Sequence, residues 1–269
     1  MKDVFSNKYI ILKKYLIKYM SWSYKCKSIF LGCFILGLVF VAKSQEKVNF
    51  STISPLGIPG LIYTPSAYTA DWGEVQLGYT HFSQRASLSY EAGTAPERSF
   101  LASIVFLPAV ELSLKVTRPY SNLVKNFVSG PRYYGIGDRS ISLRVQLLKE
   151  KKNRPAILVG IQDLGTASAF FKTNYIVLSK KTMLKQVAFS TTLGYGRPIG
   201  EARAIFLNGP FGGIQAEWKG LSGLIEYDTE RINLGLTYKM KNRLAIQLGL
   251  INGQYFIISI SSIFRLKQR

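Results

Sequence analysis

The sequence has 269 residues, of which 35 are Lys or Arg and 15 are Asp or Glu, giving a formal net charge of +20. One His is present and both Cys lie within the first 44 residues, which excludes a Cys/His zinc site or a disulfide scaffold in the remainder. The 47% hydrophobic content excludes a disordered chain, and the basic excess indicates a polyanionic partner such as nucleic acid, anionic lipid or acidic polysaccharide.

Residues 1–44 are predicted to be a cleaved signal peptide. An uncharged apolar run over 28–42 follows Lys25 and Lys27 and precedes a small-residue site at Ala42-Lys43-Ser44. The run would rise about 22 Å as a helix, which is short of the ~30 Å hydrocarbon core of a bilayer. Met20 would start a signal of ordinary length, which would make residues 1–19 an upstream extension. Export of the mature chain makes nucleic acid an unsuitable partner.

A lead-in segment is predicted over residues 45–73, because Gly and Pro punctuate it as they do turns. From residue 74 to 269 the hydrophobic pattern has a period of two, which is typical of strands. In Glu111–Thr117, for example, Leu112, Leu114 and Val116 alternate with polar side chains. The same alternation recurs along the chain and predicts about 12 strands, many of them long.

Two all-β architectures use such alternation. A soluble sandwich buries its apolar face, whereas a transmembrane antiparallel β-barrel turns that face to lipid and its polar face to the lumen. Strand length, aromatic residues near strand ends and small residues on the polar face favour the barrel. Closure would also remove the exposed edges of so many strands. The predicted fold is therefore a transmembrane β-barrel of about 12 strands.

An ordered set of segments carries a resemblance to a known family. The segments are Gly57–Ala67, Gly135–Arg144, Pro155–Thr166, Asn174–Lys180, Thr192–Gly196, Leu207–Gly213 and Ile225–Asp228. Together they resemble the YjbH-like family of outer-membrane proteins linked to exopolysaccharide production, over roughly residues 57–251. Arg144, Asn174 and Ala167 depart from the family pattern, where Lys, Glu and Gly are expected. The resemblance implies a barrel serving surface-polysaccharide assembly or export, and it transfers no catalytic residue.

Charged side chains in the polar phase of the strands are candidates to line the lumen. These candidates are Glu111, Lys115, Arg144, Asp163, Glu217, Glu226 and Lys239. They could form a charged constriction that holds an anionic glycan, or they could pair with each other and close a narrow barrel. Asp163, which precedes Leu-Gly-Thr, could equally accept backbone N–H bonds in a turn.

Two further features bear on partners and activity. Residues 118–139 lack periodicity and are predicted to form a long extracellular loop, whose Lys125, Arg132 and Arg139 could contact lipopolysaccharide phosphates. His81 and Ser83, with Glu91 nearby, could serve as base, nucleophile and orienting carboxylate of an outer-membrane lipid hydrolase. A lone His-x-Ser pattern is a weak signal.

The leading hypothesis is a non-enzymatic protein of the bacterial outer membrane that takes part in exopolysaccharide biosynthesis or export. A lipid hydrolase and a narrow nonspecific porin are the alternatives. The expected partners are outer-membrane lipid and lipopolysaccharide, with anionic polysaccharide and the export machinery as further candidates, and no nucleic acid. No cofactor is expected.

Overall fold

The computed structural model of the chain describes residues 52–86, 96–119, 139–164, 172–200, 206–240 and 243–266. The predicted signal peptide, Glu91 and the loop residues Lys125 and Arg132 lie outside these ranges. Arg118 and Arg139, the two ends of the predicted loop, belong to barrel strands.

Fourteen strands and one short 3-10 helix, Gln84–Ala86, make up the described structure. Two of the strands are short and precede the barrel: β1 (Thr52–Ile53) and β2 (Pro59–Gly60). The barrel strands are β3 (Glu74–Phe82), β4 (Glu97–Leu107), β5 (Val110–Pro119), β6 (Arg139–Leu148), β7 (Ala156–Gln162), β8 (Thr173–Leu184), β9 (Val187–Pro198), β10 (Gly209–Trp218), β11 (Leu221–Tyr227), β12 (Ile232–Met240), β13 (Leu244–Ile251) and β14 (Tyr255–Arg265).

The barrel is a closed antiparallel meander of 12 strands, which confirms the predicted fold. Each strand pairs with its neighbours in sequence, and the seam is closed by β14, which pairs with β3 from Ile257↔Phe82 to Arg265↔Glu74. Closure leaves no unpaired sheet edge in the barrel wall.

The two faces of the wall have opposite chemistry. On β5 the side chains of Glu111, Ser113, Lys115 and Thr117 are all buried inside the barrel, whereas Leu114 is 45% exposed on the outside. The other strands repeat this arrangement, and the exposed outer side chains include Leu234, Leu236, Leu248, Phe256 and Ile260. An apolar outer face is the reverse of a soluble sandwich and is the surface that a lipid-embedded barrel presents.

The two ends of the barrel differ in their connections. At the end that we call the tight-turn end, the connections are residues 108–109, 149–155, 185–186, 219–220 and 241–243. The opposite, long-loop end carries the connections 83–96, 120–138, 163–172, 199–208, 228–231 and 252–254. The chain enters β3 and leaves β14 at the tight-turn end.

Residues 52–70 lie inside the barrel rather than before it. Ile53, Leu56, Ile58 and Ile62 are fully buried and belong to the core of the molecule. We call this segment the plug. The lead-in predicted from the sequence is therefore, in its described part, an occupant of the lumen. Among the described residues, no helix is long and apolar enough to cross a membrane.

The exposed outer face predicts a depth-dependent cost for charged substitutions. Leu236 lies mid-strand in β12 and is 56% exposed, so Leu236→Arg should lower the free energy of unfolding in lipid by about 2–4 kcal/mol. Ile232→Arg, at the end of the same strand, is the matched control and should cost about 0–1 kcal/mol. Urea unfolding of the protein folded in phosphatidylcholine bilayers measures both. Equal costs at the two positions would contradict a lipid-facing outer surface.

Candidate functional site: the occupied lumen

The plug folds as two consecutive tight turns. In the first, Gly57 N–H donates to the Ser54 carbonyl (2.8 Å), and Gly57 has a φ of 87°, a left-handed conformation suited to glycine. In the second, Leu61 N–H donates to the Thr64 carbonyl (2.9 Å). A Cβ at Gly60 would collide with that same Thr64 oxygen. The glycines that mark this segment as turn-rich are thus needed for a compact insert.

Tight turns leave backbone groups without partners inside the plug, and the barrel wall supplies them. The carboxylate of Glu226 on β11 accepts three successive backbone N–H bonds, from Ile62 (2.9 Å), Tyr63 (2.7 Å) and Thr64 (3.1 Å). It also accepts a hydrogen bond from the Asn233 side-chain amide (3.0 Å). A buried carboxylate is tolerated when its oxygens are saturated in this way.

Arg144 on β6 complements Glu226, because it donates hydrogen bonds to backbone carbonyls of the plug. Its guanidinium donates to the carbonyls of Pro59 (3.0 Å), Ser66 (2.6 Å) and Tyr68 (3.0 Å). Its charge is balanced by Glu111 on β5, at 3.5 Å. Both side chains are fully buried. The rigid fork of donors on a guanidinium suits this role, since one group reaches three acceptors.

Neutral wall side chains add further hydrogen bonds to the plug. Gln146 donates to the Ala67 carbonyl (2.7 Å), and Ala67 N–H donates to the Ser179 hydroxyl (2.9 Å). Gln247 donates to the Leu61 carbonyl at the longer distance of 3.5 Å. The plug is therefore bonded to β6, β8, β11 and β13, on several sides of the lumen.

Small residues in the wall make room for the apolar side chains of the plug. A Cβ at Gly213 would lie 2.5 Å from Leu61, and one at Gly235 would lie 3.1 Å from Ile62. Tyr63, at the tip of the plug, packs against Phe206 with their ring centroids 4.8 Å apart. Wall and insert thus have complementary shapes, which is what a stable packed core requires.

The tight-turn mouth of the lumen holds a second group of charges. Lys239 and Glu217 form an ion pair at 2.7 Å, and Lys180 lies 3.1 Å from Glu150. The Tyr68 hydroxyl donates to Glu150 (2.7 Å). Burial, reinforced by the Glu150 charge, raises the pKa of the Tyr68 phenol, so the phenol remains a donor at physiological pH.

The structure distributes the sequence-predicted lumen residues over several roles. Glu111 pairs with Arg144, Glu217 pairs with Lys239, and Glu226 binds the plug. Lys115 is buried on β5, where its Cβ lies 3.0 Å from the place that a Cβ on Gly57 would take. Asp163 is buried just after β7 with a φ of 63°, and its N–H donates to the Ser142 hydroxyl (3.4 Å). The seven do not converge on one open constriction.

Sequence reasoning missed the plug and its neutral partners Gln146, Ser179 and Asn233. One signal was available, because residues 48–70 contain no charged side chain at all in a strongly basic chain. An uncharged segment rich in Ile and Leu has little to gain from solvent, which favours burial.

The structure describes two of the three residues proposed for lipid hydrolysis. His81 follows Leu77 and Tyr79 in the outward phase of β3, and Ser83 comes after the strand, with its N–H bonded to the Phe256 carbonyl (3.1 Å). Glu91 is outside the described residues. Within the described ranges, no group of three or more His, Cys, Asp or Glu side chains could hold a metal ion.

Loss of the Glu226 charge should loosen the plug. In Glu226→Gln the new amide nitrogen cannot accept an N–H bond, so plug amides are left without a partner, at a cost of about 2 kcal/mol or more in the free energy of unfolding. Glu230→Gln, at an exposed loop carboxylate, is the matched control and should be nearly neutral. Equilibrium urea unfolding measures both. A neutral Glu226→Gln would argue against this anchor.

Comparison with known proteins gives the family. The family model described as "Exopolysaccharide biosynthesis protein YbjH", the YjbH family, matches residues 52–229. An "Uncharacterized lipoprotein YjbH" from Escherichia coli (strain K12) is 32% identical over 147 residues, which is 53% of this chain. The matched region spans 18% of that relative's own length.

Two solved barrels show limited likeness. A KdgM porin has a TM-score of 0.43 at 10% identity, covering 71% of this chain and 99% of its own. An outer membrane channel from Pseudomonas putida F1 has a TM-score of 0.34 at 9% identity, covering 72% of this chain and 96% of its own. The match to the family model includes the plug and the strands β3 to β11, which carry both Arg144 and Glu226. The chain belongs to the YjbH family of exopolysaccharide biosynthesis proteins.

Proposed function

We propose that this protein is a non-enzymatic barrel of the bacterial outer membrane that acts in exopolysaccharide export as a plugged conduit. The family links the chain to exopolysaccharide biosynthesis, and the apolar outer wall suits a lipid bilayer. Barrels of this membrane have short periplasmic turns and longer extracellular loops, so the tight-turn end would face the periplasm.

The observation that carries the proposal is the way in which the plug is held. Besides apolar packing, it is held by two buried wall charges: Glu226 accepts hydrogen bonds from its backbone amides, and Arg144 donates to its backbone carbonyls. The inner face of the wall also buries polar side chains such as Ser113, Ser142 and Thr237, so a displaced plug would leave a partly polar lumen that water can fill.

Conductance tests the plugged state. The wild-type protein in a planar bilayer should be closed, because Ile62 and Tyr63 occupy the lumen. Ile62→Asp puts a carboxylate beside Glu226, and repulsion between two buried like charges should expel the plug and give measurable single-channel currents. Ile62→Val keeps the apolar contact and should remain closed. Steady large currents from the wild type would favour a nonspecific porin instead.

A deletion strain tests the pathway. Loss of the gene should reduce cell-surface polysaccharide, measured by acidic-polysaccharide staining and sugar analysis of the culture, and the wild-type chain should restore it. His81→Ala with Ser83→Ala should restore it equally well if the chain acts without hydrolysis. Normal surface polysaccharide in the deletion strain would overturn the proposed function, and failure of the double variant alone would restore the hydrolase hypothesis.

A further inference from the structure

The exposed side chains on the turns of the tight-turn end carry mainly positive charge. Among the described residues, seven Lys and Arg side chains are exposed on its turns: Lys149, Lys151, Lys152, Arg154, Lys185, Lys219 and Arg243. None of the seven forms an ion pair within the described ranges. The acidic side chains at this end are already engaged, since Glu150 faces Lys180 while Asp71 and Glu74 face Arg265.

These seven residues, which we call the cation rim, occupy one continuous arc. They lie on the four consecutive turns β6–β7, β8–β9, β10–β11 and β12–β13. The remaining described turn at this end, Pro108-Ala109, is uncharged. A partner would therefore meet the rim over one side of the barrel mouth, where like charges that are not neutralised raise the local potential.

The most charged turn of the rim is fixed in shape. Lys151 and Arg154 exchange backbone hydrogen bonds at 3.0 and 3.2 Å, which closes a tight turn. The Lys180 ammonium donates to the carbonyls of Lys151 (2.5 Å) and Lys152 (3.0 Å) and so holds that turn against β8. A turn whose backbone is ordered in this way loses less conformational entropy on binding than a loose loop.

Two further lysines lie inside the rim, and one of them, Lys239, is paired with Glu217. Lys181 and Lys239 are inside the mouth, where the Lys181 ammonium lies 4.6 Å from the centre of the Tyr68 ring. They border a small cavity between plug and wall, whose other polar side chains include Ser66, Ser190, Gln215 and the carboxylate of Glu217. Such groups can donate to and accept from sugar hydroxyls.

We propose that the tight-turn mouth is the binding face for an acidic polysaccharide, whose carboxylates contact the cation rim and approach Lys181. This deepens the proposed function and rests on it, since it names the chemical class of the exported polymer and the side from which it arrives. A polymer can contact cations on several of the four turns at once, which a single phospholipid headgroup cannot.

The test measures binding of the full chain in nanodiscs of neutral phosphatidylcholine. Fluorescent polygalacturonate oligomers are the probe, and dextran oligomers of equal length are the uncharged comparison. The wild type should bind polygalacturonate and not dextran, and binding should disappear at about 1 M salt, where the Debye length is about 3 Å.

Two triple variants that remove the same charge locate the site. The rim variant Lys151→Gln/Lys152→Gln/Lys185→Gln should weaken polygalacturonate binding by about tenfold or more. The control variant Arg85→Gln/Lys172→Gln/Arg197→Gln, at the long-loop end, should leave it nearly unchanged. Heat-modifiable migration on gels verifies that both variants fold. Lys181→Gln, inside the mouth, should also weaken binding.

Equal binding by the wild type and the rim variant, or equal losses in both triple variants, would overturn the inference. So would a rim variant that loses binding only to vesicles containing phosphatidylglycerol, since the rim would then be a lipid contact. The binding assay and the deletion-strain assay test different claims. Lost surface polysaccharide together with unchanged rim-variant binding would leave the proposed function in place and remove only this inference.

Discussion

The structure depends on one exchange of hydrogen bonds, in which wall side chains satisfy the backbone of an enclosed segment. Three amides of the plug converge on Glu226, and three carbonyls converge on Arg144. Backbone groups buried without partners would cost free energy, and so would either charge alone. Each therefore makes the other tolerable inside the barrel. The short strands β1 and β2 contribute few ladder bonds of their own, so the wall supplies the remainder.

The polar side chains on the inner face of the barrel thus have two roles. Part of it pairs wall charges with each other, as Glu111 does with Arg144 and Glu217 does with Lys239. Another part forms hydrogen bonds with the backbone of the plug. The wall glycines complete the fit, since Gly213 and Gly235 leave room for Leu61 and Ile62. The plug fills most of the lumen. Water could replace most of the hydrogen bonds between plug and wall if the plug left.

Most of the barrel wall could be predicted from the sequence, whereas the plug inside the lumen could not. Alternation such as that of Leu112, Leu114 and Val116 repeats in nearly every strand, and period two with long strands specifies a wall with two unlike faces. Glu226 lies in the polar phase of its strand, but phase says nothing about the partner across the lumen. That partner, Tyr63, lies 163 residues away and is bonded through its backbone, which no side-chain pattern records. The uncharged stretch 48–70 indicated burial without saying where.

The enclosed plug also has a consequence for assembly. Arg144 on β6 and Glu226 on β11 are five strands apart in the barrel order, nearly across the circumference, and both must reach the same short segment. A sheet with one hairpin more or less would move these two anchors out of reach of the plug. The plug therefore matches the circumference at which β14 meets β3.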